Sequence, residues 1–276
     1  MTWHAQLDLN YRQNSTAPGR TVLDFEHDGP LRVLQTLYPE GPQVCHSVLV
    51  HPPGGLVGGD TLDIRVQVDR DAHALVSTPG ATRFYKTDTD WATQRVHIQL
   101  APGARLEWLP LETLAYNGCK ARNLLQFELA EGAELMGWDI TALGLPATGQ
   151  PFSSGCVVQQ VSWPGQWREH ARVDASDVRL MASPLGLNGH RCTGTFWLAA
   201  GSPWSAPQRQ SLLDDVRSVL PSGLSCAVTS PSPQLMVIRC LGDMTEPVLA
   251  CFQAAWAVWR RQAWNMNATP PRIWQV

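Results

Sequence analysis

The feature that most constrains the fold is a unit of roughly 30 residues that occurs three times in the first half of the chain. In each unit an alternating apolar segment meets a short break and then resumes, and the breaks fall at residues 69–72, 101–104 and 130–133. When the units are aligned on Ala72, Ala104 and Ala133, apolar residues precede and follow each break at matching positions. Strict alternation is typical of β-strands that bury one face. We therefore interpret each unit as a β-hairpin with one apolar face.

A hairpin of this kind cannot bury its apolar face alone. Stacking successive hairpins lets each unit cover the next, which is how β-solenoids build a core. An ordinary β-sandwich stays open as an alternative, because strands and turns recur at short intervals there too. The repeat slightly favours the stacked arrangement.

The second half of the chain is less regular and predicts strands followed by helices. Strands are expected at residues 157–161, 178–181, 195–198 and 235–241. Helical spacing of apolar residues covers 212–220 and stops before Pro221, and a second helix is expected after Thr245 as its N-cap. The fold class expected is therefore mainly β, a β-helix-like stack of β-hairpins and sheets with two α-helices in the C-terminal third. No Ser- or Gly-rich linker interrupts residues 1–276, so we expect a single domain.

Composition excludes several classes of protein. The net charge is −3 and the pI about 6.2, without the basic stripe that nucleic-acid binding requires. The longest apolar stretch, 249–259, is far short of the ~20 residues that span a bilayer, and the first residues carry no signal-peptide pattern. The seven cysteines include no C-x-x-C pair, which favours reduced, mostly buried thiols. We expect a cytoplasmic protein with neither nucleic-acid nor membrane partners.

A double-glycine loop lies between two predicted strands and contains Gly54, Gly55, Gly58, Gly59 and Asp60. Glycine-rich loops can bind phosphate, but this one lacks the Lys-Ser/Thr of a phosphate-binding loop and precedes a strand instead of a helix. We therefore interpret it as a rigid structural turn in which Asp60 hydrogen-bonds the turn.

Metal binding and catalysis are weaker possibilities. Cys45, His46, His51 and Asp60 flank one strand and carry ligand types that suit Ni²⁺, but their spacing fits no closed metal site and indicates at most weak, transient contact. Glu107 and Glu112 could form an acid–base pair, although satisfied polar residues are the simpler interpretation.

The C-terminal residues 270–274 include Arg272 and Trp274, residue types favoured at protein interfaces. This tail is expected either to dock on its own domain or to contact a partner.

Several segments resemble the UreD (also UreH) family of urease accessory proteins. They are residues 38–40, 45–46, 51–60, 77–86, 103–113, 143–152 and 272–274. Residues 77–86 are similar to the family's "T-P-G-A-T-K-x-Y" and 103–113 to its "L-E-W-L-P-Q-E-T". Leu111, Leu145 and Gln150 stand where the family more often has glutamine, arginine and glutamate. The matches span nearly the whole chain.

The resemblance implies a scaffold and not an enzyme. Family members bind the urease apoprotein and a helical UreF-type accessory protein, and through it recruit a UreG-type GTPase that carries nickel. The expected function is nickel insertion into urease during metallocentre assembly, with transient Ni²⁺ and no tightly bound cofactor. An internal tunnel for the ion has been proposed for the family, whose fold is a β-helix-like stack of sheets with two helices. The alternatives are an enzyme of unknown type on a β-solenoid scaffold, or a stand-alone metal-binding protein.

Overall fold

The computed structural model describes residues 2–88 and 90–275. The strands are β1 His4–Gln13, β2 Thr21–Asp28, β3 Arg32–Leu37, β4 Val44–Val50, β5 Thr61–Val68, β6 His73–Ser77, β7 Thr82–Phe84, β8 Ala92–Leu100, β9 Arg105–Trp108, β10 Thr113–Ala115, β11 Lys120–Leu129, β12 Glu134–Leu143, β13 Cys156–Trp163, β14 Trp167–Asp174, β15 Cys192–Ala200, β16 Ser225–Ser232 and β17 Leu235–Gly242. The helices are α1 Val178–Ala182, α2 Ala206–Arg217 and α3 Thr245–Trp264, with single 3-10 turns at Pro146–Thr148 and Arg272–Gln275.

The strands form two sheets that the chain visits alternately. The first sheet has the order β14-β13-β11-β8-β5-β1-β2, and its strands from β13 to β1 are parallel. The second runs β16-β17-β15-β12-β9-β6-β4-β3, with β7 and β10 attached beside β12, and its strands from β12 to β4 are parallel. The result is a β-solenoid of about four turns. The mainly β, stacked fold predicted from the sequence is confirmed.

Residues at equivalent positions of the sequence repeat pair with one another in successive turns of the solenoid. Leu100 pairs with both Val68 and Leu129 in the first sheet, and Leu106 pairs with both Ala74 and Leu135 in the second. The prediction of hairpins was wrong, because the two strands of each unit lie in opposite sheets and hydrogen-bond to neighbouring turns instead of to each other.

The sharp breaks explain why the units form arches. Each break has a residue with positive φ directly before its buried alanine: Asp71 at 57°, Gly103 at 73° and Gly132 at 73°. This left-handed backbone turns the chain from one sheet to the other within a few residues. The turns also stack closely, since a Cβ on Gly103 would lie 2.1 Å from Asp71 Oδ1.

The solenoid separates two apolar layers. One layer fills the space between the sheets, where Phe127 and Trp197 stack with ring centroids 6.4 Å apart. The other lies between the outer face of the second sheet and helices α2 and α3, and includes Trp138, Phe196 and Trp259. Alternation along each strand of the second sheet sends successive side chains to opposite layers.

The C-terminal third contains two helices, as predicted, but their bounds differ from the predicted ones. Residues 178–181, predicted as a strand, belong to the short helix α1, which begins because the Asp177 side chain accepts a hydrogen bond from the Leu180 amide. Thr245 is the first helical residue and not the N-cap, which is Met244. Helix α2 ends at Arg217, three residues before the predicted end, and starts with a capping box formed by Ser205 and Gln208. Within the described part of the chain, no helix is long and apolar enough to cross a membrane.

Candidate functional site

A ladder of amide side chains runs along the inner face of the first sheet. Gln94, Asn123 and Gln159 occupy equivalent positions in β8, β11 and β13, where they pair in register. Alternation places them on the inward face, together with buried residues such as Val96 and Leu125. Gln94 Nε2 donates a hydrogen bond to Asn123 Oδ1 at 3.2 Å. Three successive turns of the solenoid thus place polar groups in an otherwise apolar interior.

Asp139 faces this ladder from β12 of the opposite sheet. Its carboxylate accepts hydrogen bonds from Asn123 Nδ2 at 2.8 Å and Gln159 Nε2 at 2.9 Å. The Thr141 hydroxyl donates a further, longer bond of 3.3 Å. Burial raises the pKa of Asp139 to about 6, and the hydrogen bonds from Gln159, Thr141 and Asn123 only partly oppose that rise. Asp139 is therefore an interior carboxylate held by neutral groups.

Three adjacent cavities follow the ladder through the molecule, and we call them the interior row. The first, of about 240 Å³, is lined by residues that include His51, Gly55, Gln94 and Trp108. A constriction of about 20 Å³ shares Gln94 and Trp108 with the first cavity and extends to Asn123 and Asp139. The third, of about 370 Å³, begins at Asp139 and is lined by residues of both sheets. Adjacent cavities of the interior row share wall residues, and Asp139 stands where the second meets the third.

His51 lines the first cavity of the interior row. Burial lowers the pKa of His51, with the Asp60 charge opposing this, so its imidazole is held neutral near pH 7. His51 Nε2 is buried and has no hydrogen-bond partner among the described residues. A neutral imidazole with a free nitrogen is a metal-ligand type.

The double-glycine loop makes tight turns between β4 and β5. Asp60 is 4% exposed, and its two oxygens accept hydrogen bonds from the backbone amides of Trp3 and Val57, each at 2.9 Å. Gly54 and Gly59 have φ of 80° and 91°. A Cβ on Gly55 would lie 2.3 Å from the Tyr85 ring.

The four weak metal candidates do not form one ligand set. Cys45 packs in the interior layer, and its neighbour His46 points to the outer layer, where its Nε2 lies 2.6 Å from Glu40 Oε1. The group of three ligand residues found among the described residues includes none of the four. Of these candidates, only His51 lines the interior row.

A buried ion network occupies the outer layer under α3. Arg260, fully buried, contacts Glu40 at 2.8 and 3.0 Å and Glu107 at 3.1 and 3.2 Å. His73 Nε2 lies 2.9 Å from Glu107 Oε1, and the Trp256 indole N–H donates to Glu107 Oε2 at 2.5 Å. The network ties strands β6 and β9 to the last helix.

The partners of Glu107 keep it ionised. Burial would raise the pKa of Glu107, but the hydrogen bond from His73 and the charge of Arg260 outweigh it, so the pKa is lowered. Burial also opposes ionisation of Glu40, whose pKa is lowered by His46 and Arg260. Because these contacts occupy both oxygens of Glu107, the predicted pairing of Glu107 with Glu112 as acid and base gains no support.

The C-terminal tail lies on its own domain. Trp274 packs against Trp138 and Trp256, with ring centroids 5.3 and 5.4 Å away, and its indole N–H donates to Ser77 Oγ at 2.9 Å. Arg272 is exposed. Trp274 therefore anchors the tail, while Arg272 stays accessible.

Sequence reasoning missed the amide ladder and Asp139. The signal was present in the repeat, because Gln94, Asn123 and Gln159 interrupt the apolar alternation at the same position of successive units. No sequence pattern indicated the ion network around Arg260, since Glu40 and Arg260 lie 220 residues apart in the chain.

Comparison with known proteins identifies the family of this chain. The model of the family described as "UreD urease accessory protein" matches residues 4–275. The urease accessory protein UreD of Verminephrobacter eiseniae is 53% identical over 100% of both chains. The UreD proteins of Variovorax paradoxus and of a Polaromonas species are each 50% identical, over 99% and 100% of both chains. This chain therefore belongs to the UreD family of urease accessory proteins.

Proposed function

We propose that this protein is a non-catalytic maturation factor that binds apo-urease and takes part in nickel insertion into the urease active site. It would recruit a UreF-type helical protein and, through it, a UreG-type GTPase that carries nickel. Family membership supports a role in urease maturation. We place this function in the cytoplasm, which the seven free cysteines support.

The observation that carries the proposal is Asp139 at the junction of the interior row. A carboxylate costs free energy in a low-dielectric environment unless it is paired, and within residues 2–88 and 90–275 the hydrogen-bond donors to Asp139 are all neutral. A divalent cation entering the row would remove that cost. The amide oxygens of the ladder and the free nitrogen of His51 add ligand types that suit Ni²⁺.

The arrangement suits passage better than storage. Among the described residues, neither His51 nor Asp139 belongs to a group of three His, Cys, Asp or Glu side chains close enough together to form a ligand set. An ion would meet one or two protein donors at a time, so it would bind weakly and leave readily. Transient contact is what a delivery protein requires and what a metalloenzyme or storage protein avoids.

Deletion of this protein from a urease-positive host tests the proposal. We expect apo-urease to accumulate at normal levels but to lack activity, and re-expression of the wild-type chain to restore it. The measurements are urease activity and urease protein level in cells grown at low nickel. Full activity in the deletion strain under these conditions would contradict the proposal.

Arg272 is the proposed partner contact in the tail, because it is exposed while Trp274 is occupied within the domain. Arg272→Ala should weaken pull-down of the UreF-type protein without lowering the melting temperature. Trp274→Ala should lower the melting temperature, because it removes packing from the outer layer. Arg261→Ala, an exposed arginine on α3, is the matched control. If Arg272→Ala and Arg261→Ala recovered equal amounts of the UreF-type protein, the tail would only pack on its own domain.

A further inference from the structure

Three cysteines from separate segments meet at the third cavity of the interior row, which Cys226 and Cys240 line. Cys226 of β16 and Cys240 of β17 are directly opposite each other in an antiparallel pair, and Cys251 comes from α3. The Sγ atoms of Cys240 and Cys251 are 3.8 Å apart, and all three sulfurs lie within 4.8 Å of one another. This cluster is the group of three potential metal ligands found among the described residues.

We propose that these three thiols bind a thiolate-preferring divalent d¹⁰ ion of the Zn²⁺ class. A zinc–thiolate bond is about 2.3 Å long, which places sulfurs around one ion roughly 3.8 to 4 Å apart. The observed separations need only a small closure to reach that geometry. The side chains come from two strands and a helix, so a central ion would contact all three without crossing the backbone.

Charge and number favour a metal site over a disulfide. A disulfide would use two sulfurs and leave the third without a role, whereas a metal site uses all three. Three thiolates carry three negative charges in an apolar layer, and a divalent ion offsets more of this charge than a monovalent ion such as Cu⁺.

A fourth position would remain open toward the surface. Cys226 is half-buried, while Cys240 and Cys251 are buried. Cys251 also lines a groove of about 340 Å³ together with apolar residues such as Leu224, Pro247 and Ala254. A water molecule or an external ligand in this groove would complete tetrahedral coordination. Bound metal would link β16 and β17 to α3, the helix that carries Arg260.

The cluster borders the third cavity of the interior row but lies apart from the amide ladder, because its side chains belong to the outer layer. Side chains of β17 alternate, and Cys240 belongs to the outer layer with Met236 and Ile238, whereas Val237 faces the interior. The soft thiolate ligands also differ from His51, Asp139 and the amides of the ladder, so they favour a different kind of ion. The site would therefore hold its own ion beside the third cavity.

Metal titration of the reduced, chelator-treated full-length protein tests this inference. With Cd²⁺ as the spectroscopic probe, we expect thiolate-to-metal charge-transfer absorption that saturates at one equivalent and is displaced by Zn²⁺. Cys226→Ser, Cys240→Ser and Cys251→Ser should each lower the affinity by more than the roughly 10–100-fold that loss of a supporting residue costs. Cys192→Ser, another buried cysteine of the outer layer, is the matched control and should bind as the wild type does.

Cys226→Ser is the variant least expected to misfold, because this position is the most exposed of the three. Circular dichroism checks that each variant is folded. Absence of the absorption band in the folded wild type would overturn the inference, as would retention of full affinity in Cys226→Ser. A disulfide within the cluster of freshly isolated protein, mapped by mass spectrometry, would also overturn it and assign a redox pair instead.

Discussion

The two layers of this protein each hold a carboxylate, but its surroundings differ in charge: Glu107 is buried beside cations, whereas Asp139 is half-buried among neutral groups. In the outer layer, Glu107 is paired with Arg260 and His73, and its pKa is lowered. In the interior row, Asp139 is held by amide and hydroxyl donors, and its pKa is raised to about 6. A full countercharge therefore keeps the buried Glu107 ionised, whereas neutral donors leave part of the desolvation cost of Asp139 uncompensated. The outer carboxylate is suited to holding the structure together and the inner one to receiving a cation.

The largest expected effect comes from removing the countercharge of the outer layer. Arg260→Met should destabilise the protein by about 3–5 kcal/mol, because it leaves Glu40 and Glu107 buried without their shared cation. Chemical denaturation at pH 7 measures the change. Arg261→Ala, the exposed neighbour, should stay within about 0.5 kcal/mol of the wild type.

Adding Glu107→Gln to Arg260→Met sharpens this result. The double variant should recover part of the lost stability, because the second change removes one of the two unpaired charges. If Arg260→Met alone proved as stable as Arg261→Ala, the stability of the outer layer would not depend on the charge of Arg260. Glu107 and Asp139 would then not differ in the way described above.

Replacing the carboxylate of the interior row is expected to stabilise the protein instead of destabilising it. The pKa of Asp139 is raised above its unfolded value, so the native state binds more protons between pH ~4 and ~6 and loses stability as the pH rises through that window. From 3.8 to about 6 this cost is at most about 3 kcal/mol above pH 6. Asp139→Asn removes it and should therefore stabilise the protein at pH 8.

Thermal unfolding of Asp139→Asn at pH 8 and at pH 4 measures this gain. The melting temperature should exceed that of the wild type at pH 8, and the difference should shrink at pH 4, where Asp139 is protonated. Asp69→Asn, an exposed aspartate, is the matched control and should show little change at either pH. A destabilised Asp139→Asn at pH 8 would mean that the carboxylate is compensated after all.

The smallest effect concerns the amide ladder itself. Gln159→Met removes the donor to Asp139 Oδ1 and to Thr141 Oγ1, at 2.9 and 2.6 Å. We expect a loss of about 1 kcal/mol at pH 7 and a further rise in the pKa of Asp139, followed by carboxyl-carbon NMR. Gln160→Met, whose side chain points to the other face of β13, should leave that pKa unchanged. An equal shift of the Asp139 pKa in both variants would mean that the amide ladder does not control the ionisation of Asp139.

The sequence predicted the solenoid register but not the path of the chain between sheets. Alignment on Ala72, Ala104 and Ala133 anticipates the pairing of Leu106 with Ala74 and Leu135, because alternation and turn spacing are local properties. A hairpin and an arch share the same alternation, so this pattern could not tell that each unit divides between two sheets. Val178 favoured a strand by its β-branched side chain, but the Asp177 cap starts a helix there.

The candidate site was less accessible to prediction than the fold. Asp139 looks like any polar residue of an alternating strand, and only the opposite sheet turns it into an interior group. The ion network joins Glu40 and Arg260 across most of the chain, a contact that depends on how α3 packs on the second sheet. The turns of the double-glycine loop depend on local requirements, such as the positive φ of Gly54 and Gly59 and the hydrogen bond from the Val57 amide to Asp60.

The nickel content of urease matured in the presence of Asp139→Asn tests the central claim most directly. Urease would be purified from deletion cells complemented with the wild type, Asp139→Asn or Asp69→Asn, and nickel per active site measured with the level of each variant. We expect nickel-poor urease with Asp139→Asn, which we also expect to be at least as stable as the wild type, and full nickel loading with the other two. Full loading with Asp139→Asn would contradict a role for the interior carboxylate in nickel delivery.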